Sequence, residues 1–335
     1  MLEIIKNIVL KIDRFLYKKF GSDKSTKSLE NIKEAQIIFN YLKDVKFVGG
    51  CVRKAICGEV IDDIDLATPI TPNEVKKILN DKGVKVIDTG ISHGTVTAIL
   101  NKKKFEITTL RKDISTDGRH ANVEFTLNWE EDAKRRDFTI NSIYADIEGR
   151  FFDPNNGISD LNEGKIKFIG LPDERIQEDY LRILRYFRFY VQYSNLSHDR
   201  EVIQSIKKNV NGLNKVSNER ILYEINKTLS LKNLQKLFDE KELRQIILNI
   251  FPQIKYDKRL QNINKLSQKI FSMYDSNLIL ALLIIDNTKN YEYFCYKYKT
   301  SNKTKKRFEN ISKNFDNLKN NKFITEENIK KYIYL

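Results

Sequence analysis

The chain has 335 residues, of which 31% are charged, with 59 Lys and Arg against 45 Asp and Glu. That length exceeds a small scaffold and leaves core enough for both a catalytic unit and a separate binding surface. Cys51, Cys57 and Cys295 lack Cys-x-x-Cys spacing, which argues against a disulfide framework or structural zinc, and the longest apolar run, Leu278 to Ile285, is too short to span a bilayer.

Residues 1 to 20 read as an amphipathic helix, with Ile4, Ile5, Ile8, Ile12 and Leu16 at helical spacing, and the polar stretch Gly21 to Ser28 completes an appendage of residues 1–28. Glu3, Lys6, Lys11 and Asp13 interrupt the apolar residues, which is not the layout of a secretory signal; a soluble protein of the reducing cytoplasm is expected. A helix over Leu29 to Leu42 leads into a strand ending at Val48. Gly49-Gly50 then lets backbone approach a bulky anion, and Val52-Arg53-Lys54-Ala55-Ile56 begins a helix whose N-terminal amides would face it.

Asp63-Ile64-Asp65 follows. In an extended strand residues i and i+2 share a face, so both carboxylates reach one divalent cation while Ile64 packs beneath, and hard oxygen donors suit Mg2+. Further short strands are expected at Lys85 to Asp88, Gly94 to Leu100, Lys104 to Thr109, Val123 to Thr126 and Ile143 to Asp146. Helices are expected at Pro72 to Asp81 and near Thr139. Residues 29–150 therefore form a small α+β unit with a mixed sheet. Glu106 sits on the polar face of its strand, and placed beside Asp63 and Asp65 it would be a third carboxylate converging on the metal. Arg135-Arg136 stands out in a chain of 43 Lys and 16 Arg, nine of the arginines lying between Arg111 and Arg188. Planar bidentate donors are wanted where phosphate is held.

After Asp153-Pro154-Asn155-Asn156-Gly157 the pattern turns to helices, one running from about Arg175 to Tyr193. On it Asp179 and Arg182 are i and i+3 and would share a face. An Asp acceptor beside an Arg donor matches the edges of C and A, which pair an amino donor with a ring-nitrogen acceptor, and rejects U and G. Helices are also expected at Ile221 to Leu229, Leu234 to Phe238, Leu243 to Ile250, Leu278 to Ile285 and Tyr291 to Lys299. Phe308, Ile311, Phe315 and Leu318 keep a helical period beyond them. Residues 201–335 hold 26 basic and 14 acidic side chains against 33 and 31 before them, which suits a sequence-independent grip on a phosphate backbone.

The segments Phe47-Val48-Gly49-Gly50-Cys51-Val52-Arg53, Asp63-Ile64-Asp65-Leu66-Ala67-Thr68, Thr89-Gly90-Ile91-Ser92-His93-Gly94-Thr95-Val96, Glu106-Ile107-Thr108-Thr109, Arg135-Arg136-Asp137-Phe138-Thr139-Ile140-Asn141 and Glu178-Asp179-Tyr180-Leu181-Arg182 follow one another in order. As a set they resemble the class II tRNA nucleotidyltransferases, the CCA-adding enzymes related to bacterial poly(A) polymerases. The match runs over about residues 45 to 225 and takes in Glu219-Arg220-Ile221.

The resemblance implies a nucleotidyltransferase head over 29–150, a helical neck over 151–225 that selects the base, and a helical body and tail over 226–335 that hold tRNA by its acceptor arm and 3′ end. It implies Asp63 and Asp65 as metal ligands assisted by Glu106. Arg135, Arg136 and Asp137 would hold ribose and phosphates, with Gly49, Gly50, Arg53 and Asn141 also binding the nucleotide. Asp179 and Arg182 would template the base, with Glu178 and Arg185 as orienting neighbours. CTP, ATP and Mg2+ would be required, without a membrane or an obligate protein partner. Asp113 to His120 resembles the loop used in switching from C to A addition, and Thr89 to Val96 the CCA-adding type rather than the polymerase type. The family usually reads Gly-Gly-x-Val-Arg-Asp, and this chain has Lys54 in place of that Asp. A CC-adding enzyme, an A-adding enzyme, a poly(A) polymerase and an RNA-binding relic are the rival readings.

Overall fold

The computed structural model describes residues 29, 32–116, 121–260, 275–286 and 288–313. The helix expected over 1–20, the loop tip from Asp117 to His120, and Phe315 and Leu318 lie outside the described residues. The chain divides into two compact units, Met1–Leu171 and Pro172–Leu335.

In the first unit, α1 (Lys33–Leu42) buries Ala35, Ile38, Phe39 and Leu42, which fall at three- and four-residue spacing. Strand β1 (Lys46–Val48) ends at Gly49, whose φ of 67° is open to glycine at little cost, and the chain turns directly into α2 (Gly50–Ile56). Strand β2 (Ile64–Thr68) is followed by α3 (Pro72–Asp81), started by a Thr71–Glu74 capping box with proline in its first turn. Then come β3 (Lys85–Gly90), β4 (Thr95–Leu100) and β5 (Lys103–Thr109), a hairpin of β6 (Arg111–Thr116) and β7 (Ala121–Phe125), and α4 (Trp129–Arg135). A 3-10 turn (Thr139–Asn141), β8 (Tyr144–Ala145), β9 (Phe151–Phe152) and α5 (Gly157–Glu163) complete the unit.

The main sheet has the order β3-β4-β5-β2-β1-β8-β9, with β2 and β5 parallel and the other neighbours antiparallel. Alternation sorts its side chains by face. Phe47, Leu66, Phe105 and Ile107 join Ile38, Val52 and Leu79 in the core under α1, α2 and α3. Val48, Ala67 and Tyr144 face the other way and pack with Ala133 of α4. Asp65 belongs to this second face, two residues from Ala67.

Three expectations change here. Residues 111–116 form a strand, and α4 was not anticipated, because both are too short and polar to show an apolar period. The head does not stop at 150: β9 pairs with β8, and Gly157 opens α5 so close to the 3-10 turn that a Cβ there would lie 2.2 Å from the Thr139 carbonyl oxygen. Asp153 fixes that start by accepting from the Gly157 and Ile158 amides at 2.8 and 2.9 Å.

The second unit is helical: α6 (Pro172–Glu178), α7 (Arg182–Tyr193), α8 (Arg200–Asn209), α9 (Asn218–Leu229), α10 (Lys236–Asp239), α11 (Lys241–Ile250), α12 (Ser276–Ile284), α13 (Asn290–Tyr298) and α14 (Asn302–Lys313). The expected boundary at 225 falls inside α9, which packs on α7, α12 and α13, so neck and body share one core. The helix expected from Arg175 to Tyr193 is broken at Asp179. Its carboxylate accepts from the Leu181 amide at 3.2 Å and its carbonyl from the Arg182 amide at 3.0 Å, a local turn that competes with continued helix. Among the described residues no helix is long and apolar enough to cross a membrane.

Candidate active site

The parallel ladder sets Asp65 on β2 directly opposite Glu106 on β5, between the pairs Ile64–Phe105 and Leu66–Ile107. Ile64 and Leu66 are buried beneath, as strand alternation requires, and Asp63 stands two residues before Asp65 at the strand's entrance. Burial, then the facing Glu106 charge, push the Asp65 carboxyl up to about 6, with Asp63 adding to the rise and Arg136 and Arg53 opposing it. Negative charge is therefore concentrated where a cation would be drawn.

The three acids do not close on one point. Among the described residues, no three His, Cys, Asp or Glu side chains are gathered closely enough to hold a metal ion. The expected three-carboxylate cage is thus not formed among the described residues. Small hard cations are commonly bound by one or two carboxylates together with waters and substrate phosphates. Asp63 and Asp65 fit a divalent cation held jointly with a triphosphate, and Glu106 stands beside them.

The glycine pair lies between this acidic strand and the arginines. A Cβ at Gly50 would sit 3.7 Å from Asp65 Oδ2, and one at Gly49 would sit 3.7 Å from Arg136 Nη1. Larger side chains would fill the space a phosphate needs. The buried Cys51 thiol donates to the Val48 and Asp65 carbonyls at 3.3 and 3.4 Å, tying the turn to β2, and burial pushes it up to about 11. With seven residues, α2 is too short for its dipole to be a major part of anion binding.

Two hydrogen-bonded groups order the cationic side. Arg53, Asn141 and Asp137 form a buried chain in which Arg53 donates to Asn141 Oδ1 and Asn141 donates to Asp137 Oδ1 at 2.8 Å. Arg135 and Arg136 both lean on Asp132, which the sequence reading missed. Oδ1 of Asp132 accepts from Arg135 Nη2 at 2.6 Å, and Oδ2 accepts from Arg136 Nη2 at 2.9 Å and from the Tyr144 hydroxyl at 2.7 Å. Burial opposes ionisation of Asp132, but the two guanidiniums and the hydroxyl outweigh it and hold the carboxyl far below the usual range. The signal available was an acid three and four residues before two arginines, behind the N-cap Asn128. Arg111, whose amide donates to the same carboxylate at 3.3 Å, is pulled down to about 10 by its burial and by neighbouring Arg135.

Lys54, the departure from the family pattern, pairs with Asp62 just before β2. Lys54 thereby lowers the Asp62 carboxyl. Asp62 is 66% exposed, so the pair is worth less than about 1 kcal/mol, and Lys54→Ala is expected to leave the denaturant midpoint almost unchanged.

The second unit holds the other predicted residues. Asp179 pairs with Arg220 Nη2 at 2.8 Å, and Arg182 pairs with Glu178 Oε2 at 2.6 Å while donating to the Arg175 carbonyl at 2.7 Å. Asp179 and Arg182 thus flank one corner, each braced by its own partner rather than lying along one helix. Arg185 is 3.7 Å from Glu224, which also takes Arg188 at 2.8 Å. The ring of Tyr180 fills the corner so closely that a Cβ on Gly212 would lie 2.0 Å from it, a constraint no sequence spacing reveals.

A mixed sheet bearing opposed carboxylates, a glycine turn and anchored arginines defines a nucleotidyltransferase head. Residues 45–167 match the family described as "Poly A polymerase head domain" and residues 195–258 the family described as "Probable RNA and SrmB- binding site of polymerase A". The chain is 33% identical over 286 residues to the CCA-adding enzyme of Streptococcus gordonii, covering 84% of this chain and 69% of that protein. It is 45% identical over 207 residues to the mitochondrial CCA tRNA nucleotidyltransferase 1 of Homo sapiens, covering 61% of this chain and 47% of that one. It therefore spans about half the length of that human relative. The fold matches the CCA-adding enzyme of Bacillus stearothermophilus in complex with CTP with a TM-score of 0.71 at 27% identity, over 90% of this chain and 74% of that one. The chain belongs to the family of CCA-adding tRNA nucleotidyltransferases and poly(A) polymerases.

Proposed function

We propose that this protein adds C, C and A to the 3′ end of tRNA from CTP and ATP without a nucleic-acid template. The observation that supports it most is the Asp65–Glu106 ladder pair set against Gly49-Gly50 and the Asp132-anchored arginines. In the reaction the terminal 3′-hydroxyl of tRNA attacks the α-phosphorus of the nucleotide, forming a P–O bond as pyrophosphate leaves. Asp63 and Asp65 would bind Mg2+, which neutralises charge on the triphosphate and favours deprotonation of the attacking hydroxyl. Arg135 and Arg136, pre-oriented by Asp132, would take charge developing on the phosphate oxygens, and Arg53, Asn141 and Asp137 would hold the ribose side of the pocket. The second unit would hold the acceptor arm of tRNA by backbone and shape. The three free thiols suit a reducing cytoplasm.

Base choice would rest on Asp179 accepting from the amino group of C or A while Arg182 donates to the ring nitrogen. Hydrogen bonds to charged groups contribute about 1.5 to 3 kcal/mol, so Arg182→Ala should reduce discrimination of CTP over UTP by about 10- to 100-fold. Glu178→Gln, which leaves Arg182 in place but removes its brace, should fall between. Competition between labelled CTP and UTP on one tRNA measures this, and unchanged selectivity in both variants rejects the templating role.

The deciding experiment supplies tRNAs lacking three, two or one of the terminal CCA nucleotides, with labelled CTP or ATP and Mg2+. Growth that halts at the completed CCA end supports the proposal. Halting after two cytidines indicates a CC-adding enzyme, addition of the final A alone an A-adding one, and a long A tail on generic RNA a poly(A) polymerase. Binding of tRNA without incorporation indicates a relic.

A further inference from the structure

Tyr223 on α9 and Tyr293 and Tyr296 on α13 are exposed large side chains on two helices packed against each other. Helix α13 already buries Tyr291, Phe294 and Tyr298, so its outward pair is not part of the core. Tyr293 and Tyr296 are three apart and share a face. On α9, Glu219, Tyr223 and Lys227 recur at four-residue spacing, and the Lys227 ammonium lies 4.4 Å from the centre of the Tyr223 ring.

An ion pair joins the two stripes. Glu219 Oε1 is 3.1 Å from Nζ of Lys299, the residue that follows α13. With a rise of about 1.5 Å per residue, Tyr223 lies about 6 Å along α9 and Tyr296 about 4.5 Å along α13 from that link. Lys227 borders the Tyr223 ring, Lys299 sits at the ion pair between the helices, and Lys297 lies on α13 beside Tyr296 in sequence, its ammonium 5.1 Å from the Tyr298 ring. Tyr296 is 83% exposed. Single exposed aromatics need no explanation, but three on adjoining stripes edged by lysines form a surface with a defined chemistry.

We infer that this α9–α13 face is a stacking platform for nucleobases of the bound RNA. The inference rests on the tRNA reading above and goes beyond a grip on backbone alone. Residues 201–335 carry 26 basic and 14 acidic side chains, so the surrounding field favours a polyanion. Aromatic rings accept any base by its π-face, while lysines hold the neighbouring phosphates. Within a duplex those π-faces are covered by adjacent pairs. The ligand is therefore an RNA segment with unpaired bases, such as a loop.

The test titrates the full chain against fluorescein-labelled tRNA transcript lacking its CCA end and against a fully paired RNA duplex. For Tyr223→Ala/Tyr296→Ala we expect affinity for the transcript to fall about 10- to 100-fold, with little change on the duplex. The slope of log affinity against log salt should stay the same, because phosphate contacts are kept. Tyr223→Phe/Tyr296→Phe, which retains the rings, should bind as the unmodified chain does. Equal affinity of the Ala double variant and the unmodified chain for the transcript overturns the platform while leaving the tRNA reading intact. An equal loss on transcript and duplex also overturns it, as does loss of self-association in sedimentation without loss of RNA binding. Failure of the unmodified chain to bind the transcript at all would overturn the tRNA reading and the platform with it.

Discussion

Asp63→Ala and Asp65→Ala are each expected to lower nucleotide incorporation at least about a thousandfold, because metal stabilisation of phosphoryl transfer is worth several kcal/mol and each 1.4 kcal/mol is tenfold in rate. The variants should remain folded. The pairing of β2 with β5 is made by backbone, so the Asp65 carboxylate is no part of it, and that carboxylate faces Glu106 across the ladder. Removing one of two crowded carboxylates relieves burial and repulsion that outweigh the attraction of Arg136 and Arg53. Thermal denaturation should therefore give a midpoint at or above that of the unmodified chain, separating lost chemistry from lost fold. Single-turnover incorporation of labelled CTP at saturating tRNA provides the rate. A rate within tenfold of the unmodified enzyme for Asp65→Ala would remove it from the reacting centre.

The parts of the site legible in sequence were those written in strand alternation and local chemistry. Asp65 stands between Ile64 and Leu66 and Glu106 between Phe105 and Ile107, Asp63 lies two residues before Asp65, and their strands were expected nearly as found. The parallel pairing of β2 with β5 was not legible. It depends on a crossover through α3, β3 and β4, and no local residue specifies which strand lies beside which. Nor does alternation say how nearly three like charges will approach, so the absence of a three-carboxylate cage among the described residues was not legible either. Asp179 shows a different limit. Arg175 to Tyr193 keeps a helical apolar period throughout, but a short polar side chain can bond its own backbone and break a helix that the pattern alone would continue. The partners Arg220 and Glu224 are likewise far away in sequence, and only packing of α9 against α7 brings them to Asp179, Arg185 and Arg188.

Asp132 is the residue whose loss should be felt most by the fold. It is 1% exposed, and its two oxygens take Arg135, Arg136 and Tyr144 at once. Removing one partner from a buried ionic group costs about 3 to 5 kcal/mol because the remaining charges are left uncompensated. Asp132→Ala is expected to lose that much in urea denaturation. Asp132→Asn keeps the shape and one acceptor oxygen, so it should lose less, fold well enough to assay, and show a raised KM for CTP as the two arginines drift apart. The pH dependence has a definite sign. A carboxylate whose folded pKa is depressed contributes its stability above its unfolded value of about 3.9 and loses it as pH falls from there toward the lowered folded value. The unmodified chain should accordingly lose stability more steeply below about pH 4 than Asp132→Asn does, so the two curves converge in acid. An Asp132→Asn variant that parallels the unmodified chain across that window, with an unchanged KM for CTP, would show that the arginines are oriented by something other than this carboxylate.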